Sequence, residues 1–180
     1  MNKLLVAISV VSVFACCNTI DRSEKNTEEQ KGESVSILSA KDTIPKVTGV
    51  GGIFFFSDKP KELREWYSKN LGLETNEYGS TFESRNANRL EEINYLQWSP
   101  FRNGHEYFSP SKKDFMINYR VQNIEGLVSK LKGNGVTVVD SIATYDYGKF
   151  VHIMDAEGNK IELWEPMDSV LTKIGSKTTK

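Results

Sequence analysis

Residues 148–166 read GKFVHIMDAEGNKIELWEP. Two β-type runs, Lys149–Met154 and Lys160–Trp164, flank the pentapeptide Asp155-Ala156-Glu157-Gly158-Asn159. Asp, Gly and Asn between runs of branched and aromatic residues mark a hairpin turn. Side chains alternate across a strand, so Lys160, Glu162 and Trp164 share one face. Ile161 and Leu163 take the other, which suits packing beneath a helix. On the preceding arm, His152 lies with Phe150 and Met154. The hairpin therefore sets a carboxylate and an imidazole beside aromatic rings.

Working back from the hairpin, residues 137–140 are a further strand candidate, and residues 115–121, FMINYRV, are strand-like. Between these two lies a helix. Asn123 can cap it, Ile124, Leu127, Val128 and Leu131 form its apolar stripe, and Gly135 ends it. Residues 47–114 repeat this order. VTGVGGIFFFS at 47–57 is an apolar strand, and KPKELREWYSKNL at 59–71 is a helix. Pro60 suits the first turn of that helix. Leu63, Trp66 and Tyr67 make its stripe, and Gly72 can close it in a left-handed conformation. Strand candidates follow at 73–77, 81–84 and 93–98. Each half reads β-α-β-β-β. A one-sided sheet needs cover, and two such halves packed around a cleft supply it. The fold class expected is α+β, with two βαβββ modules forming a curled mixed sheet around a cavity.

The N-terminal region has a different character. MNKLLVAISVVSVFACC carries Lys3, an apolar run from Leu4 to Ala15, and the chain's only two cysteines. The run is too short to cross about 30 Å of hydrocarbon as a helix, but it fits the core of an export signal. Val13-Phe14-Ala15 followed by cysteine resembles a bacterial lipoprotein cleavage box, which implies lipidation at Cys16. Residues 1–15 are then a signal peptide. Residues 16–46, mostly polar and charged, are a lipid-anchored flexible linker that cannot offset its ordering entropy by burial. The body is 47–166, and 167–180 is a ragged tail. The implied location is the cell envelope, tethered to a lipid membrane. No aspartate follows Cys16 to argue for inner-membrane retention where two membranes exist.

The chain has 180 residues, with 23 Lys and Arg against 24 Asp and Glu and a formal charge of −1. Such a balance gives no electrostatic case for nucleic acid as a partner. No cysteine follows Cys17, so the body folds without disulfides or thiolate ligands. It also lacks a phosphate-binding glycine loop, a nicotinamide fingerprint and a serine-elbow motif.

Three stretches, VGGIFFFSDKPKELREWYSKNLGLE, FMINYRVQNIEGLVSKLKGNGVTV and GKFVHIMDAEGNKIELWEP, together resemble the vicinal oxygen chelate superfamily. That superfamily includes glyoxalase I, extradiol dioxygenases, and fosfomycin- and bleomycin-resistance proteins. The resemblance spans about residues 48–166. It implies paired βαβββ modules around a shared cavity, in which catalytic members hold a divalent metal. The positions that would supply metal ligands depart from the pattern. Gly52 or Gly51 stands where a first-strand histidine is expected, and Met116 where a second one falls. Gln97 replaces a carboxylate, and only Glu162 remains as a strong ligand. The implied metal set is Glu162 with a weak Gln97. One divalent metal (Zn, Ni, Fe, Mn or Mg) and no metal at all both remain open.

If Glu162 faces the cavity, alternation brings Gly52, Phe54 and Phe56 of the first strand to the same side, with Tyr95 and Gln97 of the 93–98 strand. Met116, Asn118 and Arg120 join them, while Phe115, Ile117, Tyr119 and Val121 fall on the core side. Glu162 and His152 are the candidate catalytic pair, able to share a proton. Phe54, Phe56, Tyr95, Gln97, Asn118, Arg120 and Trp164 are candidate ligand contacts. Arg120 has the planar fork that suits a carboxylate or phosphate. A largely apolar lining with a few orienting polar groups suits an organic ligand. The connector 97–115 carries five aromatic residues, His105 and Glu106. It can cover the cavity mouth or pack on a second subunit, and residues 145–150 can form the opposite rim.

These residues are compatible with three functions. The first is an envelope-tethered protein that binds a small organic molecule, with weak or lost metal-dependent activity. The second is a metal-dependent lyase, isomerase or dioxygenase-like enzyme using Glu162, lactoylglutathione lyase being the nearest analogy. The third is a structural homodimer or adaptor whose cavity Phe54, Phe56 and Trp164 would plug.

Overall fold

The computed structural model describes residues 42–87, 89–174 and 178–179. The expected export signal, Cys16 and nearly all of the expected linker lie outside the described residues. Ala40–Lys180 form one compact unit. Among the described residues no helix is long and apolar enough to cross a membrane.

The hairpin over residues 148–166 forms as expected. Strands β6 (Gly148–Met154) and β7 (Lys160–Pro166) pair antiparallel, with His152 opposite Glu162 and Phe150 opposite Trp164. Asp155 organises the turn, because its carboxylate accepts hydrogen bonds from the backbone of Glu157 and Asn159 and from the Asn159 amide. Gly158 adopts the positive φ that the turn requires.

Strand β4 (Phe115–Gln122) runs parallel to β7. Helix α2 (Ile124–Gly133) follows β4 and packs on the sheet. Asn123 caps α2 by accepting from the Gly126 N–H, and Glu165 of β7 accepts from the Asn123 and Ile124 N–H groups. A short strand β5 (Ala143–Tyr145) pairs with β6, and Val138 adds a single bridge to Ile153. Ile124, Leu127 and Val128 of α2 pack with Val121, Val151, Ile153 and Leu163 as one buried cluster.

The first half repeats the wiring. Strand β1 (Lys46–Ser57) runs parallel to β3 (Ile93–Arg102), and β3 pairs antiparallel with β2 (Ser80–Arg85). Helix α1 (Pro60–Leu71) has Pro60 in its first turn and ends at Gly72, φ 71°. The expected strand at 73–77 shrinks to one bridge between Thr75 and Ser80.

The expectation of a curled sheet around a cavity is corrected. All seven strands form one open sheet in the order β2-β3-β1-β4-β7-β6-β5, and its edge strands β2 and β5 do not pair with each other. The reason lies in the seam. β1 and β4 pair antiparallel from Lys46–Gln122 to Phe55–Phe115, joining the halves edge to edge. The pocket is a hollow on one face of this open sheet, lined mainly by strand residues, with Tyr147 and Leu171 added from a turn and from the C-terminal segment.

Two further departures bear on the site. Beyond Pro166 the chain forms a third helix, α3 (Asp168–Ile174), and Thr179 then bridges Phe82 of β2. Phe115, expected in the core, is 44% exposed.

Candidate functional site

The hollow has a volume of about 340 Å³. Gly51 and Phe54 of β1, Tyr95 and Gln97 of β3, Asn118 of β4, and Glu162 and Trp164 of β7 all line it. Thr81, Tyr147, Phe150 and Leu171 complete its wall. A bulge between Val50 and Gly52 sets Gly51 at the surface of the hollow. A Cβ at Gly51 would collide with Asn118 Oδ1 and lie 2.8 Å from the Trp164 ring. The glycine therefore keeps space open where a ligand side chain would otherwise stand.

Glu162 is 3% exposed, and both of its oxygens are occupied. Oε1 accepts from the Asn118 amide at 2.5 Å. Oε2 accepts from the Tyr107 hydroxyl and lies 3.1 Å from His152 Nε2. His152 Nδ1 lies 2.6 Å from Asp140 Oδ2, and the His152 backbone N–H also donates to Asp140. A continuous chain thus links Asp140, His152 and Glu162, from a half-exposed carboxylate to the floor of the hollow. Burial favours the neutral imidazole, but hydrogen bonds to Glu162 and Asp140 outweigh it and raise the His152 pKa above its ordinary value. Burial, then the charge of Glu162, hold the Tyr107 hydroxyl protonated far above the usual phenol range. Lys160 donates to the Tyr107 carbonyl, and burial lowers its pKa.

Of the residues expected on the cavity side, six line the hollow, while Gly52, Phe56, Met116, Arg120 and His152 do not. Phe54, Tyr95, Gln97, Asn118, Glu162 and Trp164 meet at the hollow. Phe56 does not line it but stacks on Phe108 at 4.3 Å, in a cluster with Met116. His152 stands behind Glu162 rather than at the wall. Arg120 is 3% exposed, and its Nη2 donates to Asp168 Oδ1 at 2.5 Å. The hollow remains open, so Phe54 and Trp164 line it instead of plugging it.

The metal expectation is overturned. Among the described residues no group of three or more His, Cys, Asp or Glu side chains can hold a metal ion. The geometry explains why. His152 meets Asp140 and Glu162 through opposite ring nitrogens, so the three groups form a line rather than converge. Gln97, the proposed weak ligand, accepts from Thr81 Oγ1 and donates to Ser99 Oγ. Among the described residues the donors at the hollow do not fit a resident divalent ion.

Sequence reasoning missed Asp140, Tyr107, Thr81 and Leu171. Tyr107 sits in a short 3-10 turn, Glu106–Phe108, inside the aromatic connector 97–115. The density of aromatic residues was the available signal. Tyr147 and Phe150 fall in the segment expected as the opposite rim. Nothing in the spacing identifies Asp140, whose position depends on the pairing around β6.

No family model matches the chain, and no curated protein matches it. Solved structures similar to it include methylmalonyl-CoA epimerase from Mycobacterium tuberculosis, at 18% identity and a TM-score of 0.45, over 69% of this chain and 91% of that one. A glyoxalase/bleomycin resistance protein/dioxygenase superfamily member from Vibrio splendidus 12B01 matches at 10% identity and TM-score 0.42, over 67% of this chain and 99% of that one. NAD-dependent benzaldehyde dehydrogenase from Legionella pneumophila matches at 10% identity and TM-score 0.42, over 64% of this chain and 97% of that one. At such identities and scores these likenesses carry no argument about activity, which rests on the side chains of this chain.

Proposed function

We propose that this chain is a small-molecule-binding member of the vicinal oxygen chelate superfamily that holds an organic ligand without a metal. One observation carries the reading. A buried carboxylate, Glu162, lines an aromatic-walled hollow of about 340 Å³. Its orientation is set by Asn118, Tyr107 and His152. Apolar walls supply burial, and one oriented polar group supplies selectivity. A ligand with an O–H, N–H or acidic C–H directed at Glu162 suits this arrangement. Native mass spectrometry of protein purified without added ligand tests it. The expected result is a retained organic molecule, held about tenfold less tightly in Glu162→Gln, the loss of one charge-assisted hydrogen bond. Unchanged retention in that variant would count against the reading.

A second reading is metal-free proton transfer, favoured by the Asp140–His152–Glu162 chain. Glu162 would take a proton from a ligand carbon and return it to an adjacent atom, as an isomerase does. His152, held by Asp140, would support the charge. Deuterium incorporation into the retained ligand in D₂O, lost in Glu162→Gln, is the expected mark.

We propose further that the protein is exported and tethered by lipid at Cys16, on the strength of the N-terminal sequence. Cys16→Ala should move it from the membrane fraction to the soluble one or leave an unprocessed leader. Unaltered membrane retention with a processed N-terminus would refute the tether.

A further inference from the structure

Arg120 and Glu162 stand in adjacent places on one face of the sheet. Asn118 is in register with Glu162, and Arg120 with Trp164, on parallel strands β4 and β7. Residues two apart on a strand are separated by about 7 Å, so the Arg120 backbone lies about that far along β4 from Asn118, the residue opposite Glu162. The Arg120 guanidinium carbon sits 5.2 Å from the centre of the Trp164 ring, which is itself part of the wall.

The pairing of this buried cation is incomplete. Asp168 takes only one arm, Nη2. Nη1 is buried and has no hydrogen-bond partner among the described residues. The second Asp168 oxygen is turned toward Arg89 Nη2, 3.5 Å away, instead of closing a two-pronged contact. A guanidinium favours two parallel hydrogen bonds to a single anion, and a buried donor left unpaired is costly.

Asp168 is the first residue of α3, and Leu171 of the same helix lines the hollow. The Tyr95 hydroxyl donates to the Leu171 carbonyl at 3.5 Å, a long bond. Helix α3 therefore covers the Arg120 end of the hollow while supplying a carboxylate to Arg120.

We propose that α3 is a movable cover, and that Asp168 occupies on Arg120 the place taken by the carboxylate, sulfonate or phosphate of an organic anion when α3 lifts. The ligand class is an anion with a flat apolar body, its charged end on Arg120 and its body along Phe150, Trp164 and Phe54 toward Glu162. This inference rests on the small-molecule reading above and narrows it. The internal carboxylate competes with the ligand, so the fraction of open molecules sets the apparent affinity.

Calorimetric titration of the full chain with 2-naphthoate and with its neutral match, 2-naphthamide, tests the proposal. Asp168→Asn frees the cover for both probes and also removes the negative charge that 2-naphthoate must displace, so 2-naphthoate should tighten about tenfold more than 2-naphthamide does. The double variant Arg120→Gln/Asp168→Asn removes both charges together, avoiding an unpaired buried ion, and should bind the two probes alike. It decides the matter if Asp168→Asn alone does not fold, since a preference for the anion that survives in it would overturn the assignment to Arg120. Equal gains for both probes in Asp168→Asn would overturn the anion site while leaving the pocket reading standing. Absence of binding by both probes to every folded variant would overturn both.

Discussion

Helix α2 buries Ile124, Leu127 and Val128 against the sheet, whereas α1 buries no residue fully and leaves Trp66 53% exposed. The two helices occupy equivalent places in a repeated wiring, and both carry an apolar stripe. Their difference lies in what each faces. Under α2 the sheet offers Val121, Val151, Ile153 and Leu163. Under α1, contact runs through Tyr67 on Trp98 and Trp98 on Phe55, at 4.6 and 5.4 Å. Periodicity dictates that a helix forms; the surface across from it determines how much the helix contributes. The second half is thus the stable scaffold of Glu162 and His152, while the first half supplies Gly51, Phe54, Tyr95 and Gln97 from β1 and β3.

The largest expected effect would break that contrast. Ile124→Ala should cost about 3 kcal/mol by deleting a fully buried side chain, while Trp66→Ala should cost about 1 kcal/mol or less. Denaturant unfolding measures both, and equal losses would erase the distinction. Next in size is Gly51→Ala. Its methyl would press on Asn118 and Trp164, costing about 2 kcal/mol and narrowing the hollow. Reduced ligand retention together with a lower melting temperature is the expected pair of readings.

A smaller, pH-dependent effect belongs to the second half. The folded His152 pKa is raised, so its stabilising contribution is complete below the unfolded value of about 6.5 and is lost as pH rises through the folded value. The wild-type protein should therefore lose its advantage over His152→Gln as pH increases past 6.5, as read by denaturation at a series of pH values. Smallest of all is chelation. Since the donors do not converge, EDTA should shift neither the melting temperature nor ligand retention.

Some of this site was legible in the residues themselves. Strand alternation placed Glu162, Trp164, Asn118, Gln97, Tyr95 and Phe54 on one face, since the period of two is a property of the extended backbone. It erred at Phe56, because the end of β1 runs past the hollow into the cluster around Phe108 and Met116. It did not foresee the partner of Arg120, Asp168, which sits on α3 in a segment expected to be a ragged tail although Val170, Leu171 and Ile174 have helical spacing.

By itself the chain's sequence determined the main strands of each half with helices α1 and α2 between them, the hairpin turn at Asp155–Asn159, the helix ends marked by Pro60, Gly72 and Asn123, and the lack of a ligand side chain at Gly51 and Gly52. These are local matters, set by backbone preference and side-chain period. Tertiary structure alone decided that the β1–β4 seam makes one open sheet. It also decided that Asp140 stands behind His152, that Tyr107 reaches Glu162, and that α3 brings Asp168 to Arg120. Each of these joins residues distant in the chain, and such contacts follow from the packing of whole elements, which no local pattern encodes.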